Sequence, residues 1–245
     1  MTEDSQRIRH NLEEIHRRIR KAEEEAGREP GTVRLLPVSK TFGEDSIRAA
    51  YASGIRLLGE NKVQEAQRKH ERFAAELPDL NWAVIGHLQT NKARYVARFA
   101  SEFHALDRTR AAETLQRRLD IEDRTLDVFV QVNTSGEESK YGLQPEETLA
   151  FIRSLKEYDR LNLRGLMTLA LFSADLDRVR PCFVTLRELR DASRDIDERA
   201  AELSMGMSAD FEVAIAEGAT TVRIGTMIFG ERLLNEDHYW PAAAS

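Results

Sequence analysis

Cysteine occurs once in the chain, at Cys182, so no intrachain disulfide can brace the fold. Its setting, Val179-Arg180-Pro181-Cys182-Phe183-Val184, is an apolar helical stretch that marks it as a packing residue. No run approaches the roughly 18 apolar residues of a membrane helix. The start of the chain, with Thr2, Glu3, Asp4 and Ser5, lacks the apolar stretch of a signal peptide, and the expected compartment is the cytoplasm. Positive charge is not in excess. A net charge of −6 argues against general nucleic-acid binding, which depends on Lys and Arg meeting phosphates. Arg17, Arg18, Arg20 and Lys21 are followed at once by Glu23, Glu24 and Glu25, the pattern of a solvated helix face. No Cys/His cluster has metal-ligand spacing, and His10 and His16 lie too far apart on one helix to share a turn, so no metal is expected. There is no linker and no low-complexity segment.

What is present is an ordinary mixture, 41% hydrophobic and 32% charged, long enough to bury a substantial core. Ile8, Leu12, Ile15, Ile19, Ala22 and Ala26 recur at helical spacing, and Gly27 and Pro30 end that helix. Strand and helix then alternate. Strands are expected over Val33–Val38, Ile55–Leu58, Trp82–Ile85, Phe103–Leu106, Leu126–Val132, Leu163–Leu169, Glu202–Met205 and Val222–Ile224. Helices are expected over Glu44–Ser53, Val63–Leu77, Lys92–Ala100, Arg110–Leu119, Glu146–Lys156, a long stretch ending near Arg199, and Phe211–Glu217, with a short apolar turn last. Eight such units predict a closed (β/α)₈ barrel, with residues 1–245 forming one domain preceded by an extra N-terminal helix. The rival is an open doubly wound sheet, but no Gly-x-Gly-x-x-Gly turn follows the first strand.

Barrel chemistry sits at the C-terminal ends of the strands. Those ends carry Lys40, Asn61, His87, Asp107, Asn133, Thr168, Ser208, Arg223, Gly225 and Thr226. Lys40 directly follows a strand of the barrel wall. A lysine partly withdrawn from water is an amine nucleophile toward carbonyls. Ser208 stands where a helix starting near Ala209 would need an N-cap, and Gly225-Thr226 offers a close backbone approach and a hydroxyl. Together they suggest a phosphate cradle after strands seven and eight. An ordinary N-cap would account for Ser208 equally well. A lysine facing a phosphate site suits pyridoxal 5′-phosphate (PLP), and also an aldolase-like barrel acting on a sugar phosphate. Arg223 would face a pyridine nitrogen or pair with Glu60 or Asp107. Asn61 would contact a ligand or cap the next helix. His87 would stack on a ligand or be structural, and Lys140, in the polar loop Ser135–Gly142, would bind an anion or lie in solvent.

Several stretches are specific in combination: Val38-Ser39-Lys40-Thr41, Gly59-Glu60-Asn61-Lys62-Val63-Gln64-Glu65, Ile85-Gly86-His87-Leu88-Gln89-Thr90-Asn91-Lys92, Ser139-Lys140-Tyr141-Gly142, Ser204-Met205-Gly206-Met207-Ser208-Ala209-Asp210 and Val222-Arg223-Ile224-Gly225-Thr226. In these the chain resembles the pyridoxal phosphate homeostasis protein family, itself related to the barrel domain of alanine racemase. The resemblance implies a monomeric PLP-binding protein of intracellular PLP homeostasis, without established turnover. It implies that Lys40 carries PLP as a Schiff base, that Ser208, Gly225 and Thr226 hold the phosphate, that Arg223 faces the pyridine nitrogen, and that Asn61 lines the pocket. Apo-PLP enzymes are the expected recipients. Two departures stand out: Ala83, where the family commonly has His, and a looser Leu169–Asp175 stretch. A PLP-dependent racemase is the alternative function. It expects a C-terminal β-domain supplying a tyrosine base, and about fifteen residues follow the eighth unit.

Overall fold

In a computed structural model describing residues 3–230, the alternating pattern becomes eight parallel strands. They are β1 (Arg34–Pro37), β2 (Leu57–Glu60), β3 (Asn81–Val84), β4 (Glu102–Leu106), β5 (Leu126–Gln131), β6 (Leu161–Met167), β7 (Glu202–Ser204) and β8 (Thr221–Ile224). Their hydrogen-bonded order, β1-β8-β7-β6-β5-β4-β3-β2, is that of a barrel. It is nearly closed: β1 and β2 meet through the parallel bridge Val38–Gly59. The helices are α1 (Glu3–Glu25), α2 (Glu44–Ala52), α3 (Val63–Phe73), α4 (Ala93–Phe99), α5 (Thr109–Glu122), α6 (Pro145–Leu155), α7 (Leu176–Arg194), α8 (Phe211–Ala216) and α9 (Thr226–Phe229). The (β/α)₈ barrel with its extra N-terminal helix is the architecture expected from the sequence.

α1 buries Ile8, Leu12, Ile15, Ile19 and Ala22, the apolar stripe visible in the sequence, and lies against α2, α8 and α9. It therefore spans the seam between the first and last units. Buried Glu23 extends this tie by accepting the Val33 N–H at 2.7 Å and the Gly31 N–H at 3.0 Å.

Two boundaries differ from expectation for identifiable reasons. β2 begins at Leu57 rather than Ile55. Gly54, at φ +94°, and Ile55 return their N–H groups to Tyr51 and Ala50, a Schellman closure of α2 that uses up Ile55. α7 stops at Arg194, and turns carry the chain on to Ala201. Among the described residues, no helix is long and apolar enough to cross a membrane.

Candidate functional site

Lys40 is half-buried in the turn that leaves β1. Its backbone neighbours are held by a cluster of buried charges. The Ser39 carbonyl accepts from Lys69 Nζ at 2.7 Å, and the Ser39 hydroxyl donates to Glu60 Oε1 at 2.6 Å. The Thr41 N–H donates to Glu65 Oε1 at 2.7 Å. Lys69, fully buried on α3, bridges Glu60 and Glu65 at 2.7 Å each. Thr41 has φ +70°, strained for a β-branched residue. That strain is worth on the order of 1–3 kcal/mol, and Glu65 ties the residue down. Burial pushes the Glu60 carboxyl up to about 7, against the opposing charge of Lys69.

Beside this turn, β8, which pairs with β1, and its neighbour β7 end in two further turns. Asp210 Oδ1 accepts the Met207 N–H at 2.6 Å and closes the turn containing Ser208. α8 therefore starts at Phe211, with Asp210 at the N-cap. The expectation that Ser208 caps a helix beginning near Ala209 is corrected: Ser208 is a turn residue two positions ahead of that cap. Among the described residues, the N–H groups of Ser208, Ala209 and Thr226 donate to no backbone carbonyl. Gly225 precedes α9 and comes close to β1, where an added Cβ would sit 3.0 Å from the Val38 carbonyl oxygen.

Arg223 is buried in β8. Its guanidinium donates to Ser204 Oγ at 2.8 Å and to the Thr168 carbonyl at 2.7 Å. Neither carboxylate considered as its partner pairs with it: Glu60 is held by Lys69, and Asp107 by Arg108 at 2.6 Å. Burial lowers the guanidinium to about 10, opposed by the charge of Asp210. A group with that value is protonated at neutral pH.

Asn61, at the end of β2, is exposed and crosses closely over the end of β3. A Cβ on Gly86 would lie 2.2 Å from the Asn61 carbonyl oxygen, so only glycine permits this crossing. His87 stacks on Tyr141, with ring centroids 3.8 Å apart, and its Nδ1 lies 3.4 Å from Asp107. Lys140 donates to the Ala170 carbonyl at 3.0 Å and pairs with Glu137. The Ser135–Gly142 loop thus closes one side of the mouth.

Lys40, Asn61, Ser208, Arg223, Gly225 and Thr226 all line one cavity of about 710 Å³. His87, Lys140 and Tyr141 line it too. Beneath the site, outside the cavity wall, lie Glu60, named from the sequence as a possible partner of Arg223, and Glu65, Lys69, His104 and Ser204, which the reading of strand ends did not single out. The cavity offers an amine in the turn after β1, a buried guanidinium, and hydroxyls and N–H groups in the turns after β7 and β8. Such a set can bind a carbonyl, a ring acceptor and an anion at once.

Residues 4–233 match the family model for the alanine racemase N-terminal domain. The pyridoxal phosphate homeostasis protein of Aquifex aeolicus is 44% identical over 222 residues, covering 90% of this chain and 96% of that protein. The protein of the same name from Escherichia coli K12 is 40% identical, covering 92% and 97%. Among solved structures, PipY of Synechococcus elongatus with PLP bound superposes with a TM-score of 0.79 at 32% identity, covering 91% of this chain and all of that one. Clostridium difficile alanine racemase has a TM-score of 0.69 at 13% identity, covering 94% of this chain and 57% of that one, a likeness of fold.

Proposed function

The chain belongs to the pyridoxal phosphate homeostasis protein family, and from that premise we propose that it carries PLP on Lys40 for delivery rather than using it in turnover. The observation that carries this reading is the convergence of Lys40, Asn61, Ser208, Arg223, Gly225 and Thr226 on one cavity. The donor set fits the cofactor. When bound, PLP supplies an aldehyde that condenses with an amine and a pyridine ring that can draw electrons from the attached carbon. Lys40 holds the cofactor through its amine, in a turn fixed on both sides by the Glu60–Lys69–Glu65 cluster. Ser208, Gly225 and Thr226 bind the phosphate with hydroxyls and N–H groups. Asn61 lines the pocket. Arg223, buried and protonated, donates toward the ring nitrogen and keeps it from taking up a proton, which weakens the ring as an electron sink.

That last effect favours storage over catalysis. In this reading the protein is a monomer of the cytoplasm, residues 1–245 are one barrel domain, and apo-PLP enzymes are the recipients. Purified protein should show a visible PLP absorbance that borohydride abolishes as it fixes the cofactor on Lys40, and the untreated holo-protein should load an apo-enzyme. A racemase-like activity has one observation on its side, the His87–Asp107 pair at the mouth. Exchange of the alanine Cα proton in D₂O at an enzymic rate, lost in Lys40→Ala, would replace the carrier reading with that one.

A further inference from the structure

A polar chain crosses the barrel interior and ends at Arg223. At its far end Arg34 on β1 reaches Glu102 on β4, with Nη2 2.9 Å from Oε2. The same oxygen lies 2.7 Å from Nε2 of His104, two residues along the strand. His104 Nδ1 is 2.9 Å from Ser204 Oγ on β7, and that oxygen accepts from Arg223 Nη1 at 2.8 Å. His104 and Ser204 are fully buried.

The donor and acceptor rules give this chain one direction. A guanidinium can only donate, so Ser204 Oγ accepts there. The serine proton then has His104 Nδ1 as its acceptor. A carboxylate can only accept, so His104 carries its own proton on Nε2, toward Glu102. Every link is satisfied by a neutral imidazole in one tautomer. Burial lowers the His104 value from 6.5, with Glu102 opposing and the charges of Arg223 and Arg34 assisting, in agreement with a neutral ring.

We propose that Glu102, His104 and Ser204 are positioning residues for Arg223, fixing its guanidinium in the orientation that faces the ring nitrogen of bound PLP. This rests on the role of Arg223 proposed above. A merely structural network would contribute to stability and leave the cofactor's electronic state untouched. The two can be separated by measuring the ring nitrogen itself.

With PLP isotopically labelled at the ring nitrogen, NMR of the wild-type holo-protein should report an unprotonated nitrogen. Ser204→Ala should move that signal toward the protonated position, and His104→Phe should move it the same way by less, since Ser204 remains. Ser204→Thr, which keeps the hydroxyl, should restore the wild-type signal. An unprotonated wild-type nitrogen that stays unchanged in Ser204→Ala, with only the melting temperature lowered, overturns the inference alone. A protonated wild-type nitrogen, or no bound PLP, overturns the reading of Arg223 and the inference with it. A further measurement needs neither cofactor nor variant stability. In apo-protein with labelled histidine, His104 should show a protonated Nε2 and bare Nδ1 from about pH 6 to 8. An imidazolium or the opposite tautomer there also overturns the inference.

Discussion

Two buried glutamates lie two strands apart in the barrel wall, Glu60 on β2 and Glu102 on β4, and the protein pushes them in opposite directions. Glu60 accepts from Lys69 and Ser39 on Oε1, while Oε2 is buried without a hydrogen-bond partner. Burial dominates, and its carboxyl rises to about 7. Burial would raise Glu102 as well, but His104 and the fork of Arg34 donate to both of its oxygens and hold it down at about 2. Depth alone does not decide the charge of a buried carboxylate; donors on each oxygen do. The two networks differ in reach too. The Glu60 cluster is local and shapes the backbone around Lys40. The Glu102 chain runs from β1 through β4 and β7 to β8, and ends on a side chain that lines the cavity.

The largest expected effect comes from breaking the local cluster. Lys69→Met leaves Glu60 and Glu65 buried without the cation that bridges them, and should cost roughly 3–5 kcal/mol in urea unfolding. Arg34→Met should cost clearly less. The Arg34 side chain is 40% exposed, and His104 still serves Glu102. If Arg34→Met proves the more damaging, the barrel-spanning chain, and not the local cluster, is the principal support of the fold.

Next in size is the dependence on pH. Glu102 is depressed from 4.5 to about 2, so its contribution is present above pH 4.5 and is lost as pH falls through that window. The loss should be on the order of 3 kcal/mol, and absent in Glu102→Gln. Glu60 is raised from 4.5 to about 7, so its sign is reversed: stability is fullest below pH 4.5 and falls as pH rises toward 7. Glu60→Gln should therefore gain on the wild type between pH 5 and pH 8. Urea midpoints across that range that move in parallel for wild type and Glu60→Gln would show that Glu60 stays ionised throughout.

The strands of this fold were legible because buried parallel strands are short apolar runs bounded by turn residues, and the chain repeats them at barrel spacing. The cavity-facing residues were legible for a related reason: barrel chemistry collects at strand ends. The supporting groups were not. Lys69 shares a buried helix face with Ala66 and Phe73 at 3- and 4-residue spacing, yet it stands in Arg68-Lys69-His70-Glu71-Arg72, which reads as solvated surface. Glu102 fell outside a strand expected to begin at Phe103. Including it would have shown Glu102 and His104 alternating onto one face. Ser208 was misplaced as a helix cap because nothing in the sequence reveals that the Asp210 carboxylate turns back to the Met207 N–H.

The smallest effect sharpens the comparison by separating residues that hold the fold from residues that hold the ligand. Ser208 is half-buried in the turn closed by Asp210, beside the cavity, and its hydroxyl carries neither network. Ser208→Ala should leave urea unfolding of the apo-protein unchanged, while weakening PLP retention by on the order of 1 kcal/mol or more, the worth of a hydrogen bond to a charged group. Pyridoxal without its phosphate should bind much more weakly than PLP to the wild type, and Ser208→Ala should narrow that gap. The comparison requires only the dissociation constants of two ligands for two proteins. A variant that loses the same factor for both ligands would mean that Ser208 contacts something other than the phosphate, and the anion cradle would then rest on Gly225 and Thr226.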